Sequence, residues 1–347
     1  MDMACRVRLG KGWRSSCRGG FLVGLLALGL PLHAEPAAAT KAPDTFRFGI
    51  LPVGSAAESR DQWQPLLKDL EKKLGRPVHI VSVSSYAGLF GAIKDQRVDA
   101  AILSGRLATE AVEHQHMSVI AQFVRGNDGK GNVAMLMVRA DGPIHQLEDM
   151  FAKPGHWRYA RSEMLSVGGY IAPEAEVFAT RGLNSDTFFA GVRVGNQQNN
   201  ALALVNGEVD VVANDGPDLY LFRQDFPGEA SQLRVIWQSA PLPPEVLVVR
   251  ESMPAALRNE LTSFLHGYGH SPGVVGERER GNLSRIPDLI GFAPADNRVL
   301  QPFVDMEFLL IREQAQHGQW VNEQAREARL SQIDADYQRA VRALMQH

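Results

Sequence analysis

The stretch FRFGILPVGSAAESRDQWQPLLKDLEKKLGRPVHIVSV, residues 46–83, decides the fold. It opens with an apolar strand pattern at 46–51. Trp63, Leu66, Leu67, Leu70 and Leu74 then recur at helical spacing, so they share one face of an amphipathic helix. Gly75 stands where a left-handed residue ends such a helix, and an apolar run at 78–83 predicts the next strand. A strand, a helix and a strand in this order form a βαβ unit. The pattern repeats with a helix at 86–94, a strand at 98–103 and a helix through Val112. A largely parallel sheet covered by helices on both faces follows from that alternation.

The same grammar continues further along the chain. A strongly apolar strand at 133–138 ends near Asp141-Gly142-Pro143, read as the passage into a second lobe. Strands at 192–194, 209–212 and 233–237, with helices at 170–181, 199–205 and 217–226, would build that lobe. Pro241-Leu242-Pro243-Pro244 and a strand at 245–249 read as the return crossing. The expected division is 45–140 plus 240–310 for the first lobe, 141–239 for the second and 311–347 for C-terminal helices. No internal repeat is evident. Two crossings make a bilobal clamp, and its cleft lies at the carboxyl ends of the strands, where open α/β sheets take ligands.

The beginning of the chain indicates a compartment. Arg6, Arg8, Lys11, Arg14 and Arg18 precede an uncharged apolar run at 21–32, and Leu32-His33-Ala34 offers a cleavage site. Residues 1–34 therefore read as a secretory signal peptide, followed by a flexible leader at 35–44, and the expected location is the periplasm. Both cysteines, Cys5 and Cys17, fall inside the signal segment, so the mature chain has no disulfide or thiol nucleophile. The formal charge of −3 becomes −7 once residues 1–34, with five basic side chains and one acidic, are removed. That balance argues against nucleic acid and anionic membrane surfaces as partners.

The octet Ser166-Val167-Gly168-Gly169-Tyr170-Ile171-Ala172-Pro173 is the strongest local signal. Two glycines at a helix start let backbone amides approach an anion at the positive end of the helix dipole. The glycine-rich loop at 126–131 lacks the Gly-Lys-Ser/Thr ending of a nucleotide site and reads as a turn. His114 and His116, two residues apart, do not share a helix face, so no metal site is expected. Ser166 sits in no Gly-x-Ser-x-Gly elbow, and no His/Asp pair can be assigned to it. Neither catalysis nor a cofactor is expected. Val321, Ala325, Ile333, Tyr337, Val341 and Leu344 mark one stripe of a tail helix, which either packs back on a lobe or serves dimerisation.

Several of these segments together resemble the phosphonate-binding periplasmic receptors of ABC importers. They are the helix at 58–75, Ser85-Tyr86-Ala87-Gly88, Val98-Asp99-Ala100-Ala101, the 166–173 octet, Asn206-Gly207-Glu208-Val209-Asp210, Val235-Ile236-Trp237 and Gly291-Phe292-Ala293-Pro294. The resemblance spans about residues 46–312. It implies an α/β type II periplasmic binding-protein fold, two doubly wound lobes joined by a two-strand hinge. It also implies a small-molecule ligand, phosphonate- or phosphite-like, and a membrane permease as partner.

By that resemblance Tyr86 donates its phenol to the ligand, and Ser166 keeps the first hydroxyl of the family's Ser-Thr-Ser-Gly. Val167 and Gly168 replace the next two hydroxyls, leaving the amides of Val167, Gly168 and Gly169. Asn132 stands at a second family tyrosine and Gln197 at a ligand-binding histidine. Of two acids that hold an amino group, one position is Pro217 and the other remains acidic as Glu245. The expected ligand contacts are therefore Tyr86, Asn132, Ser166, Val167, Gly168, Gly169, Gln197 and Glu245. The amides suit a less charged or zwitterionic ligand. A periplasmic sensor of the same fold, signalling to a membrane partner, is the alternative reading.

Overall fold

The helix predicted from its apolar stripe runs Ala56–Leu74. Ser55 caps it, its hydroxyl accepting from the Glu58 amide at 3.1 Å, and Gly75 ends it at φ +60°. Trp63, Leu66, Leu67 and Leu70 are buried against Phe46, Phe48 and Ile50 of the first strand. Trp63 lies between Phe48 and Phe123, with ring centroids 5.8 and 5.9 Å away. The computed structural model describes residues 44–51, 55–126 and 132–345. The signal segment with both cysteines, the leader up to residue 43 and the glycine-rich loop at 127–131 lie outside the described residues.

Eleven strands are present among the described residues: β1 Phe46–Ile50, β2 Val78–Ser82, β3 Ala100–Leu103, β4 Met117–Arg125, β5 Ala134–Arg139, β6 Arg158–Arg161, β7 Gly191–Val194, β8 Val211–Asp215, β9 Leu233–Gln238, β10 Val246–Arg250 and β11 Leu289–Pro294. They form two sheets, ordered β11-β4-β10-β3-β1-β2 and β7-β6-β8-β5-β9. The parallel pairs are β1–β2, β1–β3, β6–β7 and β6–β8. Every pair that involves β5, β10 or β11 is antiparallel. Neither sheet is therefore parallel throughout: the crossing strands enter against the prevailing direction. The strand read at the end of the first lobe, β5, pairs with β8 and β9 in the second sheet. The crossing thus falls ahead of β5, and β10 returns between β3 and β4.

The segment expected as one helix over 170–181 is wound differently. It starts earlier, with wide turns at Val167–Ile171 and Glu174–Phe178, and closes with a 3-10 turn at Ala179–Arg181. Pro173, which has no N–H to donate, interrupts the ordinary ladder here. The tail helix Glu323–Leu344 folds back on helices Gln301–His317 and Gly105–His114. It buries Ile333, Ala340 and Leu344, and the Tyr337 hydroxyl donates to Asp305 Oδ1 at 2.8 Å.

Although the sequence shows no repeat, the two sheets carry the same clamp. Asp99 accepts from the Arg47 amide (2.8 Å) and Nε (3.0 Å), and Asp210 accepts from the Arg158 amide (2.8 Å) and Nε (3.0 Å). Each arginine also donates to a backbone carbonyl ahead of its partner acid, Gln96 and Gly207 respectively. In both sheets the clamp ties the start of a strand to the residue that leads into a parallel partner. Two short identical residue types separated by unrelated filler are invisible to a repeat search on sequence.

A bulge where β4 meets β10, at Leu247/Val248, shifts the register between them. The buried Val119 amide donates to Asn297 Oδ1 at 2.8 Å, from a turn 178 residues away. Asn297→Ala leaves that N–H unpartnered in a dry core, so it is expected to cost about 1–3 kcal/mol. The loss is read as a lower urea midpoint with an unchanged slope.

Candidate functional site

Four helical starts converge on one cleft between the sheets. Tyr86 opens helix Tyr86–Lys94, and Ser104 precedes Gly105 at the start of helix Gly105–His114. Ser166 caps the wide turn Val167–Ile171, and Asp215 caps helix Gly216–Asp225. Tyr86, Ser104, Ser166, Val167, Asp215 and Asp218 all line this cleft, which encloses about 870 Å³ including space open to solvent. Each start follows a strand's carboxyl end, so the topology itself aims unpartnered amides at one point. The positive ends of these dipoles favour an anion there.

Side chains make the cleft less simple. Three carboxylates, Asp215, Asp218 and Glu245, line it together with one guanidinium, Arg125. Arg125 Nη2 lies 2.5 Å from Glu245 Oε2, and its Nη1 donates to the Pro287 carbonyl at 2.6 Å. Burial opposes the charge on Arg125, but Glu245 beside it more than offsets this and raises its affinity for the proton. Asp215 and Asp218 have no cation paired to them, and Arg125, already bonded to Glu245, only partly offsets their burial. Burial pushes Asp215 up, against the hydrogen bonds from the Asp218 amide and Gln197. Asp218 is pushed well up by burial and then by the charges of Asp215 and Glu245. The Tyr86 phenol is likewise held on its proton, by burial first and then by Asp218 and Asp215, while a bond with Ser166 pulls the other way.

Of the eight residues expected as ligand contacts, Tyr86, Asn132, Ser166, Val167, Gly168 and Glu245 line this cleft. Gly169 and Gln197 are not on its wall. The Gly169 amide donates to Ser166 Oγ at 3.1 Å, and Gln197 Nε2 donates to Asp215 Oδ2 at 2.7 Å. Asn132 faces the cleft but its side-chain amide donates to the Pro243 carbonyl at 2.7 Å, and Leu242 returns an amide bond to the Asn132 carbonyl at 2.6 Å. Asn132 therefore fastens the two crossings to each other. Asn199 and Asn200, on the same helix start as Gln197, hold that start in place. The Asn199 amide donates to its cap Asn196 at 2.7 Å, and buried Asn200 donates to the Arg161 and Gly195 carbonyls.

Sequence reasoning missed Arg125, Asp215, Asp218 and Gly105. Asp215 carried a readable signal: Asp-Gly-Pro-Asp directly after an apolar strand is a helix cap with proline in the first turn. Gly105 carried none, because its role is contact between the lobes. Its φ is +42°, and a Cβ there would come within 1.8 Å of Val167 Cγ2 from the opposite wall. Only glycine accepts both the conformation and the neighbour. No helix among the described residues is long and apolar enough to cross a membrane, and none of their His, Cys, Asp and Glu side chains group to hold a metal.

Comparisons with known proteins agree with this geometry. Residues 48–300 match the family model described as "ABC transporter, phosphonate, periplasmic substrate-binding protein". The phosphonates-binding periplasmic protein of Escherichia coli K12 is 29% identical over 304 residues, 87% of each chain. A solved binding-protein component of an ABC phosphonate transporter from Pseudomonas aeruginosa is 26% identical with a TM-score of 0.78, covering 86% of this chain and 97% of that one. PhnD1 from Prochlorococcus marinus, solved with methylphosphonate, shares the fold at 14% identity and a TM-score of 0.63, over 76% of this chain and 96% of its own. With two sheets of type II order, a cleft at their strand ends and a match across most of its length, this chain belongs to the phosphonate substrate-binding proteins of ABC transporters.

Proposed function

We propose that this chain works in the periplasm, captures a phosphonate-like solute between its two lobes and presents it to the permease of an ABC importer. The two sheets with their helices act as the lobes. The described residues 132–133 and 239–245, where the two crossings run, act as the hinge. The observation that carries the reading is the convergence of four helical starts on a cleft that also holds three carboxylates and one paired guanidinium. The dipoles, each equivalent to roughly half a charge, suit an oxyanion. Asp218 and Glu245 suit an ammonium group on the same molecule. A zwitterion such as 2-aminoethylphosphonate answers both demands, whereas a bare dianion answers one and is repelled by the other.

Within this reading Tyr86 offers its phenol from one lobe, and Ser166 with the Val167 and Gly168 amides closes from the other. Contacts made by both lobes at once are what shift the population toward the closed form. Nothing in this cycle requires the ligand to change chemically, in keeping with a family of binding proteins.

Two expected outcomes test the proposal. Thermal melts of the mature chain with phosphite, methylphosphonate, 2-aminoethylphosphonate, phosphate and sulfate should show the largest rise with 2-aminoethylphosphonate, about 2.7 kcal/mol at a hundredfold excess over Kd. Ser166→Ala should reduce that rise, with the unliganded melt lowered only by the lost cap, about 1 kcal/mol. No rise with any phosphorus compound overturns the assignment.

The second outcome concerns the uncompensated acid. Asp218 favours its protonated form in the fold, so its contribution is present at low pH and is lost as pH rises above the unfolded carboxylate range. Asp218→Asn should therefore stabilise the unliganded protein at pH 7–8 by roughly 2–4 °C, the shift expected for about 1 kcal/mol. The gain should fade toward pH 4, and the same variant should lose affinity for 2-aminoethylphosphonate. Melts of both proteins across this range decide it.

A further inference from the structure

Asp215 stands against the glycine cradle itself. A Cβ on Gly168 would come 2.5 Å from Asp215 Cβ and 2.9 Å from Asp215 Oδ2, so this carboxylate lies flush on the backbone where an oxyanion would rest. Its position is fixed on both sides. Oδ1 accepts from the Asp218 amide at 3.0 Å, and Oδ2 accepts from Gln197 Nε2 at 2.7 Å. Gln197, the side chain at the position of a family ligand donor, thus holds Asp215 in place. A fully ionised oxyanion in the cradle would meet this carboxylate acceptor to acceptor. The two can share a contact only if one proton lies between them.

We propose that Asp215, when ionised, is a specificity-determining residue that favours an oxyanion bringing one proton to share, and so selects the hydrogen-phosphonate over its sulfonate isostere. The inference rests on reading the cleft as a phosphonate site. A phosphonate brings the proton itself, because its second ionisation falls near neutrality, about pH 6 for a phosphate monoester. A sulfonate has no second proton to bring. The O–H stays between one phosphonate oxygen and Oδ2, so no bond to phosphorus is made or broken. The charged and titratable groups facing Asp215 are Asp218 from its own helix, Glu245 ahead of β10, Arg125 on β4 and Tyr86 across the cleft. Arg125 is paired with Glu245 and leaves Asp215 without a cation of its own.

The test is calorimetric titration of the full mature chain with 2-aminoethylphosphonate and 2-aminoethanesulfonate between pH 6 and 8.5. Both ligands carry the same ammonium group, so their affinity ratio cancels what Asp218 contributes through that group. We expect the sulfonate to bind wild type roughly 100-fold more weakly near pH 6. We expect the ratio to fall about tenfold per pH unit above the second ionisation of the phosphonate. Asp215→Asn keeps an oxygen for the Asp218 amide and should bring the two ligands within roughly tenfold of each other, with a flat profile. Equal wild-type affinities, a flat wild-type ratio, or unchanged discrimination in the variant overturns the role of Asp215 while the phosphonate reading stands. If neither compound binds wild type, both fall. Should the variant fail to fold, the wild-type ratio and its profile decide alone.

Discussion

Both passages between the lobes are stitched into the interior of a sheet. β5 enters the second sheet between β8 and β9, and β10 returns to the first between β3 and β4. Each is hydrogen-bonded along both edges and carries an almost fully buried run, Ala134 to Val138 and Val246 to Val249. Neither lobe can rotate by peeling an edge strand. Between these ladders Asn132 bridges the two passages through the Pro243 carbonyl. The antiparallel entries are thus a mechanical feature: they anchor the hinge at the stiffest part of each lobe. The cleft inherits its position from the same arrangement, since the strands that run with the prevailing direction all deliver their carboxyl ends to it.

The cleft's electrostatics balance backbone against side chains. Helical starts make it attractive to anions, yet Asp215 and Asp218 stand among those same starts and lack a paired cation. Loss of two hydroxyls at Val167 and Gly168 is therefore part of a larger change. Val167 turns its methyl groups toward Gly105, and Gly168 makes room for a carboxylate. At these two positions the structure has one apolar contact between the lobes and one acceptor beside the glycines.

The fold was legible in the sequence wherever burial imposes a period. The stripe through Trp63 and Leu74, the helix end at Gly75 and the strand expected at 98–103, found at Ala100–Leu103, all emerge within two residues. Strand direction was not, because β5 and β10 are as apolar as their parallel neighbours and pairing partners leave no local trace. The winding after Ser166 was also missed, since periodicity reports a helix and not the pitch that Pro173 imposes. Of the positions carried over from the resemblance, Asn132 lines the cleft but bonds the Pro243 carbonyl, and Gln197 lies off its wall and donates to Asp215; such bonds are set by partners far along the chain. The residues missed altogether, Arg125 and Gly105, matter through partners 120 and 62 positions away, Glu245 and Val167.

The Arg47–Asp99 and Arg158–Asp210 clamps give each lobe its own internal brace. Neither clamp reaches across the cleft, so strand spacing within a lobe does not depend on whether the other lobe is near. Each wall of the cleft is thereby held in shape by bonds of its own lobe. Where the lobes meet, a methyl group of Val167 rests against the missing Cβ of Gly105, so one glycine fixes how closely the two walls approach.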